Sequence, residues 1–171
     1  TMPSTMNPSM PCWRSDTGCF PETSDRPVSL WHQNQTLTLS RYLPYHMTSS
    51  WREEGYEFRS GATMGIACAF DFMNPDYDPS AARRAVEGLL RSRAYWEGDF
   101  TALTEPSLED HRWCAYQLAM PDGSGYAAFF RRDKSEESER TFRLAGIDPN
   151  RHYRLRVCGE KYEVSARDIP G

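Results

Sequence analysis

The sequence predicts an α/β first half followed by an all-β second half. Three observations lead to that expectation. Residues 61–72, "GATMGIACAFDF", form a continuous small-apolar run, the pattern of a strand covered on both faces as in a parallel sheet. Residues 78–96 carry a capped, amphipathic helical pattern. After Gly98 the texture turns to short alternating segments separated by Gly- and Asp-rich turns. The 171 residues suffice for one domain with a sizeable core or for two smaller pieces of different character.

Taken in order, residues 1 to about 60 are rich in Pro, Ser, Thr and aromatics. Within them Leu30, Gln33, Leu37 and Tyr42 predict a short helix after the "PETSDRP" loop. The strand at 61–72 follows. Asp78 is placed to cap the next helix, and Pro79 takes the first helical position, where a missing N–H is no loss. Along that helix Ala82, Ala85, Val86, Leu89, Leu90 and Arg93 share one stripe, with Arg83, Arg84, Glu87 and Arg91 largely opposite. Beyond Gly98, "HRWCAYQLAM", "PDGSG" and "YAAFFRR" read as a hairpin, and "RTFRLAG", "IDPN" and "HYRLRVC" as a second. A fifth strand is expected at "GEKYEVSA". Such a meander, polar on one face, is half of a sandwich. One βα unit cannot cover both faces of its own strand, so the apolar strand at 63–70 is expected to be completed by residues of a longer protein or by another chain.

Composition narrows the partners. The formal charge is −4, and the basic residues are scattered among acids, which leaves no electrostatic footprint for nucleic acid. No run approaches the roughly 20 apolar residues that a bilayer demands. The opening "TMPSTMNPSM" lacks a basic region followed by an apolar one, so no membrane partner and a cytoplasmic location are expected. Five widely spaced cysteines, Cys12, Cys19, Cys68, Cys114 and Cys158, include no C-x-x-C pair and fit reduced thiols better than a zinc site.

The chemistry centres on "MPCWRSDTG", where Asp16 follows Trp13 and Arg14. A carboxylate against an aromatic wall is how a glycosidase presents an acid to a neutral sugar, and it is also how an ordinary helix is capped. Beyond that stretch come, in order, "LSRYLPYHMTSS", "YEFRSGATMG", "DYDPSAARRAVEGLLRSRAYWEGDFTALT", "WCAYQLAMPDGSGYAAFFRRDKS" and "FRLAGIDPNRHYRLRV". With "SMPCWRSD" at their head, these blocks resemble the C-terminal third of family 36 glycoside hydrolases, the α-galactosidase-like enzymes. The likeness runs over nearly the whole chain, and its most telling pieces are W-x-S-D, Y-x-F-R-S, G-D-F and the final GIDP strand pair.

The resemblance implies a fold. Residues 1–97 would be the last strands, loops and helix of a (β/α)8 catalytic barrel, and 98–171 an incomplete antiparallel β-sandwich. It also implies that Asp16, matching the W-x-S-D aspartate, is the general acid/base of a retaining hydrolase acting on terminal α-galactosides. Such enzymes set two carboxyls roughly 5 to 5.5 Å apart, one attacking the anomeric carbon and one protonating the departing oxygen. Trp13 would keep the acid protonated, and Arg14, whose charge would oppose that, would face substrate hydroxyls or the barrel-top loops instead. The nucleophile aspartate of the family lies upstream of these residues, and the family's tyrosine after G-D-F is Thr101 here. Carbohydrate is the expected partner, together with the rest of the barrel or a second copy of the chain. No cofactor or metal is expected, because two carboxylates suffice.

Other constellations carry less. Asp71, Asp76 and Asp78 alternate as calcium ligands do, but the prolines among them and the missing glycine and terminal glutamate favour a strand exit and a helix cap. His46, in the polar and aromatic "YLPYHMTSS", is a candidate substrate contact, with Tyr45 and Arg59 behind it. Trp51, Tyr56, Tyr95 and Trp96 suit either a sugar-stacking platform or packing. The competing function is a non-catalytic carbohydrate-binding or interaction module in which Asp16 is only a cap.

Overall fold

The computed structural model of the chain describes residues 27–43, 46–53, 55–62, 65–148 and 150–157, together with the backbone of 160–165. Its content is mixed α/β, with helices and a small parallel pair first and antiparallel strands after.

Helix α1 (Val28–Leu39) starts behind an extended Pro27 and buries Leu30, His32, Gln33, Thr36 and Leu37. The expected spacing of Leu30, Gln33 and Leu37 is there, but most of the buried residues are polar. Tyr42 lies past the helix end and is 82 % exposed.

Strand β1 (Thr48–Ser50), helix α2 (Gly55–Gly61) and strand β2 (Ile66–Cys68) form a parallel pair with its crossover, in the register Thr48 to Ile66, Ser49 to Ala67 and Ser50 to Cys68. The strand expected to be covered on both faces needs correction. It is three residues long, and Ala67 and Cys68 are exposed. Among the described residues β1 is its only ladder partner, so an edge and much of a face stay open. What the apolar run does bury is Ala62 and Phe70, which join Phe58 and Ala82 in one cluster.

Helix α3 (Pro79–Ser92) forms as its caps dictate, with Asp78 Oδ1 accepting the Ser80 N–H at 2.8 Å and Pro79 at the first position. Ala82 is buried, and Ala85, Val86 and Leu89 pack half-buried on the Phe58–Phe70 cluster. Leu90, 56 % exposed, and the exposed Arg93 fall off the packed stripe. The seam is the narrower i, i+3, i+4, i+7 set, and Leu90 is turned about 100° past Leu89.

Strands β3 (Asp99–Ala102), β4 (Cys114–Ala119) and β5 (Gly125–Phe130) form an antiparallel sheet in that order. The hairpin β4–β5 closes as "PDGSG" predicts. Asp122 Oδ1 accepts the Ser124 N–H at 2.8 Å, and Gly123 sits at φ 84°, where a side chain would strain the backbone. One face of the sheet makes the main core with Leu37 of α1: Cys114, Tyr116, Ala128 and Phe130, with Tyr56 of α2 set edge-on to Phe130 at 5.9 Å.

The sheet was expected to be polar on its other face, and that too is corrected. Ala115 and Gln117, on the second face of β4, are also buried. A strap at 141–145, which belongs to no helix or strand, covers them. Phe142 lies on Phe129 at 5.1 Å and on Trp113 at 5.9 Å, and the Gln117 amide clamps Ala145 through two bonds of 2.9 Å, Nε2 donating to its carbonyl and Oε1 accepting its N–H. The strap is not the strand that the second hairpin called for, because Gln117 supplies the donor and acceptor a neighbouring strand would have supplied. Strand β6 (His152–Val157) pairs instead with β7 (Glu160–Ser165).

Candidate functional site

Trp13, Arg14 and Asp16 lie outside the described residues, and so does Tyr45. His46 is described, and it sits just before β1, at the amino end of the parallel pair. It is 5 % exposed, and its Nε2 is 2.8 Å from Ser40 Oγ, while Nδ1 is buried without a hydrogen-bond partner. Burial lowers its pKa to about 4, so the ring is neutral at pH 7. These are the surroundings of a packing histidine that holds the turn before β1.

Parallel sheets bind ligands at the carboxyl ends of their strands. At that end Trp51 follows β1 directly and is 47 % exposed, and Phe72 and Met73 follow β2 at 69 % and 90 %. Ser50 Oγ, at the rim, donates to the Arg52 carbonyl at 2.7 Å, and Glu53 Oε1 accepts the Asp78 N–H at 3.0 Å. The loops after both strands therefore offer apolar and aromatic surface on a hydrogen-bonded frame. Phe72 gave no signal in the sequence because it ends an apolar run that looks wholly buried, and Met73 follows that run directly.

The other aromatic candidates do not gather there. Tyr56 is taken up by the sheet core, where its hydroxyl donates to the Arg131 carbonyl at 3.1 Å. Tyr95 and Trp96 are half-buried in and after the 3-10 turn Arg93–Tyr95 that follows α3, and Arg59 is exposed on α2. Asp71 and Asp78 serve their own backbone, Asp71 Oδ1 accepting the Met73 N–H at 3.1 Å and Asp78 capping α3. No group of three or more His, Cys, Asp or Glu side chains is placed to hold a metal among the described residues. No helix among them is long and apolar enough to cross a membrane.

A second polar assembly had no sequence signal. Gln33 of α1 is 1 % exposed and Arg132, after β5, is 2 % exposed. Arg132 Nε donates to Gln33 Oε1 at 3.0 Å, and Gln33 Nε2 donates to Tyr56 OH at 3.1 Å and to Ser60 Oγ at 2.9 Å. Arg132 Nη1 also donates to the carbonyls of Ser107 at 2.8 Å and Glu109 at 2.7 Å. Burial pushes the Tyr56 hydroxyl above its ordinary value, so this junction of α1, α2 and the sheet carries one formal charge, on Arg132. Set against known proteins, the chain matches no family model, no curated protein and no solved structure.

Proposed function

We propose that the chain is part of a retaining glycoside hydrolase acting on terminal α-galactosides, with Asp16 as general acid/base and the nucleophile aspartate upstream. The observation that carries this reading is the ordered series of blocks headed by Trp13-Arg14-Ser15-Asp16. The element order is compatible with it: a parallel pair with its crossover, a capped helix, then an antiparallel sheet. In this reading residues 1–97 complete a (β/α)8 barrel and 98–171 belong to a β-sandwich. The open edges of β1 and β2 would then be closed by the other barrel strands or by a second copy.

Within the barrel the substrate would lie at the carboxyl ends of the strands. Trp13 and Arg14 would shape the pocket around Asp16, with Trp51 and Phe72 on the loops at the same end. His46, at the opposite end of β1 and buried, then positions the strand from below and leaves substrate contact to these other residues. During glycosylation Asp16 gives its proton to the departing oxygen. In the second step it takes a proton from the attacking water.

The test is turnover of a chromogenic α-galactoside panel by three proteins: this chain, the chain extended upstream, and the extended Asp16→Ala variant. Turnover by the extended protein, lost in Asp16→Ala and restored by added azide or an activated leaving group, supports the assignment. An extended protein that is inert on every glycoside but binds sugars replaces it with the carbohydrate-binding module.

A further inference from the structure

We infer that the open edge of β3 takes up an extended, acidic segment of a partner protein as an added strand, seated in the groove between β3 and the strap. The site is independent of the glycosidase reading, and three features of the antiparallel sheet carry it.

The first is the edge. β3 lies at one side of the sheet, with β4 as its only ladder partner among the described residues. Which of its backbone groups point outward follows from the register. The Leu103 N–H donates to the Ala115 carbonyl at 2.9 Å, and Thr101 and Asp99 stand opposite Gln117 and Ala119 in the same phase. In an antiparallel ladder the residues between them, Phe100 and Ala102, turn their N–H and C=O groups away from the partner strand. Neither amide is bonded elsewhere among the described residues. An unpaired row of this kind is a template for a further strand.

The second is the groove. A cavity of about 450 Å³ opens beside that edge, with Thr101 and Leu103 of the β3 side facing Arg140, Phe142, Arg143 and Leu144 of the strap side. Thr101 and Leu103 share the sheet face of Gln117 and Ala115, which the strap crosses. A strand added to β3 would send alternate side chains toward the groove and the others beside Phe100 and Ala102, which are half-buried on the core face.

The third is charge. Arg140 and Arg143 are the only charged residues lining the groove. Arg140 is held by Glu137 at 3.5 Å and lies over the Phe142 ring at 5.6 Å, whereas the exposed Arg143 makes no ion pair among the described residues. The strap amides of Thr141 to Leu144 are also unbonded among those residues, a further supply of donors for a carboxylate. Asp99, on the same sheet face at the other end of β3, opposes an acid there, so the partner's acids belong beside Leu103. A second copy fits worse. Edge-to-edge pairing about a two-fold axis puts both straps, each with its Arg143, on the same side of the joined sheet, where like charges repel.

The experiment is fluorescence anisotropy of the full chain with a labelled peptide, Glu-Val-Glu-Val-Thr-Val-Thr, whose acids reach the Leu103 end in antiparallel addition. Saturable binding is expected, and the same peptide with Lys in place of Glu should bind about tenfold more weakly. Arg143→Gln should weaken the acidic peptide about threefold, the scale of an exposed ion pair. Ala102→Pro removes an edge N–H that β4 does not use and should weaken it about tenfold. A thermal midpoint checks the fold of that variant; if it does not fold, Arg143→Gln and the charge-reversed peptide decide alone. No saturable binding, equal affinity for the two peptides, or unchanged affinity in the variants overturns the inference. So does sedimentation that shows the chain pairing with itself and Ala102→Pro as a monomer, because a second copy then holds the edge.

Discussion

Gln33 and Arg132 stand 99 positions apart and share one buried bond, so they should be energetically coupled. Gln33→Leu keeps the bulk and removes three hydrogen bonds: two to neutral hydroxyls and one to the guanidinium. At ~1 kcal/mol for each neutral bond and ~2 kcal/mol for the charged one, the loss is ~4 kcal/mol. Burying the leucine returns ~1 to 2 kcal/mol, which leaves ~2 to 3 kcal/mol of destabilisation. Arg132→Met loses three charge-assisted bonds, ~5 to 9 kcal/mol gross, but relieves several kcal/mol of guanidinium desolvation, for a net of ~3 kcal/mol. The Arg132–Gln33 bond is counted in both single variants. The double variant should therefore be ~2 kcal/mol more stable than the sum of the two predicts. Urea unfolding, followed by tryptophan fluorescence, measures all four proteins, provided the m-values agree. Additivity within ~0.5 kcal/mol would refute the coupling and make the bond incidental to the junction.

Two further outcomes follow from the same packing. The His46 pKa is about 4 when folded and 6.5 by default, so the unfolded chain takes up the proton first. Its contribution to stability is complete above pH 6.5 and is lost as the pH falls from there through 4. At ~1.4 kcal/mol per unit the loss reaches at most ~3 kcal/mol, and urea midpoints between pH 7 and pH 4 should fall less steeply in His46→Gln; equal slopes would discard the idea. Gly61 lies so close to its neighbours that an added Cβ would stand 2.5 Å from Thr48 Oγ1 and 3.0 Å from His32 Nδ1. Gly61→Ala should cost ~1 to 3 kcal/mol by overpacking, and a thermal midpoint at or above wild type would show that α2 shifts freely against β1.

The sequence spoke most clearly where local chemistry and tertiary need agree. Asp78 and Pro79 open α3 by their own geometry, and the Ala82 to Leu89 seam repeats at helical spacing, so nothing distant had to be known. The "PDGSG" turn was legible for the same reason. Strand β1 was not, because Thr48-Ser49-Ser50 is short and polar and becomes a strand only beside β2. In the strap, the alternation of Phe142 and Leu144 with Arg143 correctly gave the half-buried side. It could not give the pairing, since a side chain rather than a strand satisfies Ala145. The polar and aromatic neighbours that made His46 a candidate contact do not reveal its burial, which is a property of the assembled fold. Trp13, Arg14 and Asp16 entered through resemblance alone. Arg132 had no signal at all, because its partners are a helix and two carbonyls far away along the chain.

The Gln117 clamp fixes the strap at a single point rather than along a ladder. Insertions and deletions at 138–140, beyond the Glu137 carbonyl that Trp113 and Arg131 hold, leave that point untouched, so those few residues are free to change in number while the strap keeps its place on the sheet. In amide hydrogen exchange the strap should behave unlike any strand. Ala145 would exchange slowly, locked to a buried glutamine, while the amides of Thr141 to Leu144 beside it, which have no hydrogen bond among the described residues, exchange fast. One side chain thus gives a segment without secondary structure the register of a strand and the tolerance of a loop.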